Sequence, residues 1–394
     1  MALVTAPTNG YHNGVDGVQD TLYHCMKDYK HGPNSRMSIT FNSSKGLTNA
    51  PGQNNCFLNS AVQVLWHLDA FRRSFRLLSG HSCMGNACIF CALKVMFTQF
   101  QYSDKQVLPP DTLRQALSET FQNQQRFQMG FMDDAAECFE NILTRMHNHI
   151  ASEESEDSCT APHCIPHRKF SMSVSEQVVC GSCRAKSEPF TFNEMVFYVS
   201  TGALVLRSYV AVSIGLVWES AKSGSQHIRD VVNCIGTTLN LEELFHSTPA
   251  SGSEGGRDAP PLTPLHLVGV VCYYGKHYST FFFHSKVHEW IYFDDASVKQ
   301  ISPSWSKVCE KLCKGRHQPL LLLYMNPNTE AVDVTTAPKY STMAPGYEWK
   351  NEEHNEPNSL LKNSVPDVES YHHQQLPRRV PSEPPSTRLD KRLE

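Results

Sequence analysis

The sequence predicts an α+β fold, and three observations carry that expectation. Residues 56–150 hold apolar side chains at helical spacing. Residues 205–325 hold short runs rich in β-branched and aromatic residues. The helical stretch precedes the strand stretch rather than alternating with it, which separates α+β from a doubly wound order.

Taken in order, residues 1–45 are polar with little periodicity and read as a flexible leader. From Leu58, the positions Ala61, Val62, Leu65, Leu68, Phe71 and Phe75 line one face of a helix. A later helix opens at Asp133–Asp134, where a carboxylate suits the N-cap. It carries Ala136, Phe139, Leu143, Met146 and Ile150 on one side. Strands are expected at Tyr209 to Trp218, Leu265 to Tyr274, Tyr278 to Phe283, Trp290 to Phe293 and Gln318 to Tyr324. The Gly-, Ser- and Pro-rich stretch from Ser247 to Pro264 reads as an exposed loop. Residues 46–326 thus hold the folded domain. Residues 331–394 contain 8 of the 23 prolines and no cysteine, and read as a disordered tail, either solvated or docking a partner protein.

Composition narrows the function classes. Of 394 residues, 40% are apolar, enough for a sizeable core in one or two domains. There are 39 acidic against 35 basic residues, net −4, which argues against a nucleic-acid partner held by phosphate neutralisation. Apolar runs such as Pro319 to Met325 stay well short of the roughly 20 residues of a membrane span. The N-terminus has neither the basic nor the apolar region of a secretory signal. The 14 cysteines cluster with histidines at short spacings. In a reducing compartment, with the cytoplasm as default, that pattern points to metal ligands and a nucleophile rather than disulfides.

Cys56 follows Gly52-Gln53-Asn54-Asn55 and opens the first helix. A thiol at a helix start sits at the positive end of the dipole. It also sits beside free N–H groups that can hold an oxyanion, and Asn54 or Asn55 can add a side-chain amide. A thiol nucleophile needs a histidine base, which in turn needs an orienting partner. His277 lies between two strand runs, and a hairpin brings Asp294 beside it. Standing alone, Cys56 and His277 would each be read as packed residues.

Two clusters have metal-ligand spacing. His81, Cys83, Cys88 and Cys91 offer four donors within eleven residues, a set that suits tetrahedral structural Zn²⁺. Cys164, His167, Cys180 and Cys183 form a second zinc pattern, with Cys159 and His163 as spare ligands. Cys180 and Cys183 are alternatively half of a site whose other half is missing. Cys309 and Cys313 share a helix face, and Cys25, Cys138, Cys234 and Cys272 read as packing.

Joined in this order, the motifs resemble the ubiquitin-specific protease family of papain-like deubiquitinases. The opening box is Gly46-Leu47-Thr48-Asn49, then Cys56-Phe57-Leu58-Asn59-Ser60. Gly130 to Phe139 resembles the family's Gln-Asp-Ala-His-Glu-Phe helix, with Ala136 at its histidine position. Lys276-His277-Tyr278 with Phe293-Asp294-Asp295-Ala296 resembles its histidine box. The stretch from Pro51 to Phe75 is similar to the 53 and 54 subgroup. The resemblance implies a right hand, with a helical thumb, a β palm and fingers that hold ubiquitin. It makes Cys56 the nucleophile, His277 the base, Asp294 its orienting group and Asp295 a supporting residue. It further implies ubiquitin and polyubiquitinated proteins as partners and isopeptide hydrolysis, with polyubiquitin chains as the expected substrate. Three departures accompany it. Six residues separate Asn49 from Cys56 where the family has four, so Asn54, Asn55 or backbone donors are candidates for the oxyanion. The Gln-Asp-Ala-His-Glu-Phe helix is degraded. Roughly fifty residues of the fingers, with a second cysteine pair, are missing. A catalytically silent ubiquitin-binding scaffold of the same fold is the alternative.

Overall fold

The computed structural model describes residues 44–201, 213–240, 263–326 and 328–347. The expected leader up to residue 43, Cys25, the first part of the Tyr209 run, most of the Ser247 to Pro264 loop and the tail past residue 347 lie outside the described residues.

The N-terminal half is helical. After β1 (Gly46–Leu47) come α1 (Cys56–His67) and α2 (Asp69–Leu77). The single apolar periodicity from Leu58 to Phe75 is broken at Leu68, whose ψ of 97° is extended. Asp69 restarts the helix. Its carboxylate lies in the first turn of α2, where the helix dipole favours it, and pairs with Arg72 and Arg73. Next come β2 (Ser82–Cys83), α3 (Ile89–Tyr102), β3 (Val107–Leu108), α4 (Asp111–Thr120), α5 (Ala135–Ile150) and the short α6 (Ile165–Lys169). Asp134 caps α5 as expected, its Oδ1 accepting from the N–H groups of Ala136 (2.8 Å) and Glu137 (3.0 Å). The expected apolar face of α5 is fully buried.

The C-terminal half is a sheet. A hairpin of β4 (Met172–Glu176) and β5 (Phe190–Glu194) precedes β6 (Phe197–Ser200) and β7 (Ser213–Val217). Then follow α7 (Ser225–Cys234), β8 (Thr238–Leu239), β9 (Leu265–Tyr274), β10 (His277–His284), β11 (Glu289–Asp294), β12 (Ser297–Ser302), α8 (Trp305–Gly315) and β13 (Gln318–Met325). The main sheet runs β12-β11-β10-β9-β13-β7-β6, with β8 on β9, and only β6 and β7 pair in parallel. Helix α7 was not foreseen among the strands, although Ile228, Val231 and Val232 have helical spacing.

Alternation along the strands builds two cores. On β13, Leu321 and Leu323 join the core shared with the helices, while Leu322 and Tyr324 join one beneath α7 and α8. The sheet is therefore buried on both faces. This is the α+β right hand, a helical thumb against a β palm. The fingers are short, with β4 and β5 as their only described strand pair. Cys138 and Cys272 pack in the interior as expected. Cys234 is exposed instead, at the C-terminal end of α7.

One boundary is corrected. Residues 331–347, assigned from composition to the disordered tail, pack back on the helical half. Val332 and Ala337 are buried, and β14 (Thr342–Met343) pairs in parallel with β2. Proline and charge content lowered the expectation of order, but a segment can bury a few side chains and satisfy its backbone on a neighbour without any periodic pattern. Among the described residues, no helix is long and apolar enough to cross a membrane.

Candidate active site and metal centres

The site forms where the start of α1 meets the turns of the sheet. Cys56 is the first residue of α1 and is almost entirely buried. Its N–H and those of the next two residues lack helical partners by construction. His277 is placed by the two-residue turn between β9 and β10. Gly275 (φ 53°) and Lys276 (φ 67°) are both left-handed there, the arrangement that closes a tight hairpin. Thr280 faces Phe293 across β10 and β11, so Asp294 lies diagonally from His277, and their side chains meet on one face.

His277 Nε2 is 2.7 Å from Asp294 Oδ1, and the Cys56 thiol is close enough to the imidazole to favour its charged form. These two interactions raise the His277 pKa to about 10, with the Asp294 bond the larger cause, and the same bond lowers that of Asp294. The other Asp294 oxygen accepts from Tyr274 (3.2 Å) and Tyr292 (3.3 Å). The Tyr292 hydroxyl in turn lies 3.2 Å from His317 Nε2. Burial lowers the His317 pKa to about 4, so this ring is neutral at physiological pH. Both Asp294 oxygens thus have donors.

Asp295 joins the two halves. Its Oδ2 accepts from Asn49 Nδ2 and its Oδ1 from Asn59 Nδ2, each at 2.7 Å. The three expected asparagines therefore divide. Asn49 spends both ends, its Oδ1 taking the N–H of Asn55 at 2.9 Å. Asn54 is left-handed and exposed, and ties its amide to the Gly130 carbonyl at 2.8 Å. Asn55 is buried directly before Cys56. Its amide has only a 3.5 Å contact to Gln53, and its Oδ1 has no partner.

The opposite lip is the loop between α4 and α5. Buried Arg114 donates to the carbonyls of Phe127 (3.0 Å), Gln128 (2.6 Å) and Phe131 (2.6 Å). This fixes Met132, whose sulfur lies 3.9 Å from Cys56 Sγ, and leaves Met129 and Phe131 exposed beside the cleft.

His81, Cys83, Cys88 and Cys91 converge as expected, all four donor atoms lying within 4.8 Å of one another. His81 Nε2 is 3.2 Å from Cys88 Sγ and 3.3 Å from Cys91 Sγ, and the Cys83 and Cys91 sulfurs are 3.9 Å apart. Bond lengths of about 2.0–2.3 Å to a tetrahedral zinc imply donor separations of roughly 3.3–3.8 Å, and the observed separations lie within a few tenths of an ångström of these, so the donor set fits the ion. The second cluster differs from the expected set. Cys164 and His167 belong to it, but their companions are His147 and Cys159. His147 Nδ1 and His167 Nδ1 lie 3.4 and 3.1 Å from Cys164 Sγ. His163 is not a ligand, since its ring nitrogens meet Thr336 Oγ1 and the Ile150 carbonyl, each at 2.9 Å. Cys180 and Cys183 stand exposed in the loop between β4 and β5, away from both clusters. Short spacing pairs them with each other, but the hairpin carries them out into solvent while α5 and α6 bring His147 to Cys164.

Residues 45–324 match the family described as ubiquitin carboxyl-terminal hydrolase. The chain belongs to that family. Its relatives place it in the 53 and 54 subgroup. Ubiquitin carboxyl-terminal hydrolase 54 of Rattus norvegicus is 48% identical over 359 residues, which cover 79% of this chain and 22% of the relative. Ubiquitin carboxyl-terminal hydrolase 53 of Homo sapiens is 42% identical over 353 residues, which cover 77% of this chain and 32% of the relative. The chain thus spans less than a third of either relative. The rat alignment is also about fifty positions longer than the part of this chain it covers, 359 against the roughly 311 residues that 79% of 394 amounts to. Among solved structures, a chain of the SAGA Ubp8/Sgf11/Sus1/Sgf73 DUB module bound to ubiquitin aldehyde shares the fold. The TM-score is 0.51 at 17% identity, covering 79% of this chain and 76% of that one.

Several site residues escaped the sequence reading. Tyr292 and Asp294 are two apart on one strand, so strict alternation already put them on one face. His147 opens a His-x-His pair on α5, a ligand signal that the nearer cysteine pair obscured. Arg114 had no local signal, because its partners are backbone carbonyls 13–17 residues away.

Proposed function

We propose that the domain is a cysteine-type deubiquitinase that hydrolyses the bond between the C-terminal glycine of ubiquitin and an amine, with polyubiquitin chains as substrate. The observation that carries this reading is the convergence of Cys56, His277 and Asp294 from opposite halves of the molecule, in a chain of the ubiquitin carboxyl-terminal hydrolase family. Cys56 Sγ attacks the glycine carbonyl, and the carbonyl oxygen takes up the negative charge. The Cys56 N–H and the uncommitted Asn55 amide are the donors that hold it. As the C–N bond breaks, His277 gives its proton to the leaving amine. Water then attacks the thioester while His277 accepts its proton, and the thiolate leaves. Asp294 keeps the imidazole oriented with Nδ1 toward the thiol, and Tyr274 and Tyr292 keep Asp294 in place. The exposed Met129 and Phe131 at the lip suit an apolar protein ligand.

Both Cys/His clusters are read as structural zinc sites. A bound ion would cross-link α3 to β2 in one and α5 to α6 in the other. Each offers four protein donors, so no position is left for a substrate. Thiols held as metal ligands fit a reducing compartment, and we place the protein in the cytoplasm. A second reading, a silent ubiquitin-binding scaffold, is favoured by the roughly fifty positions by which the relatives exceed this chain.

Intact mass after incubation with ubiquitin bearing a C-terminal electrophile separates the readings. One ubiquitin adduct on the wild-type chain, absent in Cys56→Ser and reduced in His277→Ala, supports the enzyme. A folded, zinc-loaded chain that binds ubiquitin but forms no adduct supports the scaffold.

A further inference from the structure

The segment after β13 lies beyond the matched family residues, which end at 324. It nevertheless crosses the helical half along a defined path. The N–H of Val332 donates to buried Ser74 Oγ at 3.1 Å. Thr336 Oγ1 meets His163 Nδ1 next to the second cluster. The Gly80 N–H donates to the Pro338 carbonyl at 2.9 Å, and a Cβ at Gly80 would come within 2.5 Å of the Tyr340 backbone. The segment then pairs with β2 at Ser82 and Cys83, one of the first cluster's donors.

Between these contacts Ser341 Oγ lies 2.9 Å from His81 Nδ1. The other ring nitrogen, Nε2, faces Cys88 and Cys91. A histidine that ligates through Nε2 carries its proton on Nδ1, and the acceptor of that proton sets both tautomer and ring orientation. In the second cluster the corresponding acceptor is local, because His167 Nε2 donates to the Glu156 carbonyl at 2.8 Å. In the first it arrives from a segment 260 residues away in sequence.

We propose that residues 328–347 form a strap latched by metal at the His81, Cys83, Cys88 and Cys91 cluster, with Ser341 as the positioning residue that fixes His81 for ligation. The proposal rests on the reading of that cluster as a zinc site. Metal binding orders His81, His81 holds Ser341, and the paired backbone of β2 and β14 holds the rest of the strap. Docking of the strap and retention of the metal therefore favour each other.

The test uses the full chain carrying Cys159→Ala, so that metal at the first cluster alone is followed. Zinc content is measured with and without Cys91→Ala. Release into a chromogenic chelator is then timed for the parent, Ser341→Ala and Ser341→Thr. Tryptic cleavage after Lys339 is followed before and after zinc is stripped. Cobalt substitution supplies a spectrum that reports the ligand field at His81. The expected result is release about 10- to 100-fold faster in Ser341→Ala. Ser341→Thr should restore the parent rate, the Ser341→Ala cobalt spectrum should shift, and cleavage after Lys339 should quicken on zinc removal. Unchanged zinc content in Cys91→Ala would remove the zinc reading and the latch together. A loaded cluster with parent-like release in Ser341→Ala, or cleavage indifferent to zinc, would overturn the latch alone.

Discussion

The helical half and the sheet half contribute opposite lips of one cleft, yet they are held together by different physics. The sheet half is a ladder of backbone hydrogen bonds buried on both faces, and its side-chain network around Asp294 needs nothing from outside the protein. The helical half carries both Cys/His clusters, whose donors converge only when α3, α5, α6 and β2 are correctly placed. The difference teaches where each half is vulnerable. The base and its orienting groups ride on the rigid ladder, whereas the thiol rides on helices whose mutual positions a metal would clamp. Asp295 is the bolt between them, accepting from Asn49 and Asn59 across the cleft.

The largest effect should come from removing either side's reacting group. Cys56→Ala or His277→Ala should cut hydrolysis of ubiquitin conjugates by about 10⁴-fold or more, as for other nucleophile–base pairs. Circular dichroism should remain native. Comparable turnover in Cys56→Ala would end the assignment of the thiol.

Metal removal tests the asymmetry itself. Chelation should raise amide exchange in α3, α5 and α6 while β9, β10 and β13 stay protected. Hydrogen exchange read by mass spectrometry checks this, and uniform loss of protection would show that the halves unfold as one unit.

Asp295→Ala should take the acceptor from the half-buried Asn49 amide and one of two acceptors from the buried Asn59 amide, whose Nδ2 also donates to the Thr48 carbonyl at 3.1 Å, and cost about 1–3 kcal/mol in denaturant unfolding. Asn49→Ala, which breaks one of the two bonds, should cost less.

The pH dependence sharpens the view of the sheet side. The His277 pKa is raised to about 10 by Asp294 and Cys56. Its stabilising contribution is therefore complete below the usual value near 6.5 and is lost as pH rises through about 10. The Asp294 pKa is lowered, so its contribution is present above the ordinary carboxylate range and is lost as pH falls through its depressed value. Asp294→Asn should bring the alkaline loss of activity to lower pH, as measured by pH–rate profiles and by NMR titration of His277. Tyr292→Phe should have the smallest effect, a several-fold drop in kcat, because Tyr274 still holds Asp294.

Much of this was readable in the chain, for reasons that vary by residue. Cys56, His277 and Asp294 each sit inside a contiguous pattern whose local geometry is short-range: a helix start, a two-residue turn, a strand end. The α+β order followed from helical periodicity in one half and β-branched and aromatic runs in the other, and the cap at Asp134 from a carboxylate placed before an apolar helical face. The first metal cluster was legible because all four donors fall within one short loop and the helix after it. The second was misread at Cys180 and Cys183, since spacing reports which residues are near in sequence and His147 reaches Cys164 only through the packing of α5 on α6.

By itself, then, the sequence determined the class of fold and pointed to the thiol, imidazole and carboxylate of the proposed site and to the four donors of one candidate metal set, because each of these lies in a pattern of neighbours along the chain. Only the tertiary structure decided which asparagine is left uncommitted beside Cys56, that Tyr274 and Tyr292 share Asp294, that Asp295 joins the halves, and that residues 328–347 return to His81. Those contacts join residues up to 260 positions apart. Their energy comes from satisfying buried polar groups, which no local pattern of apolar and polar residues records.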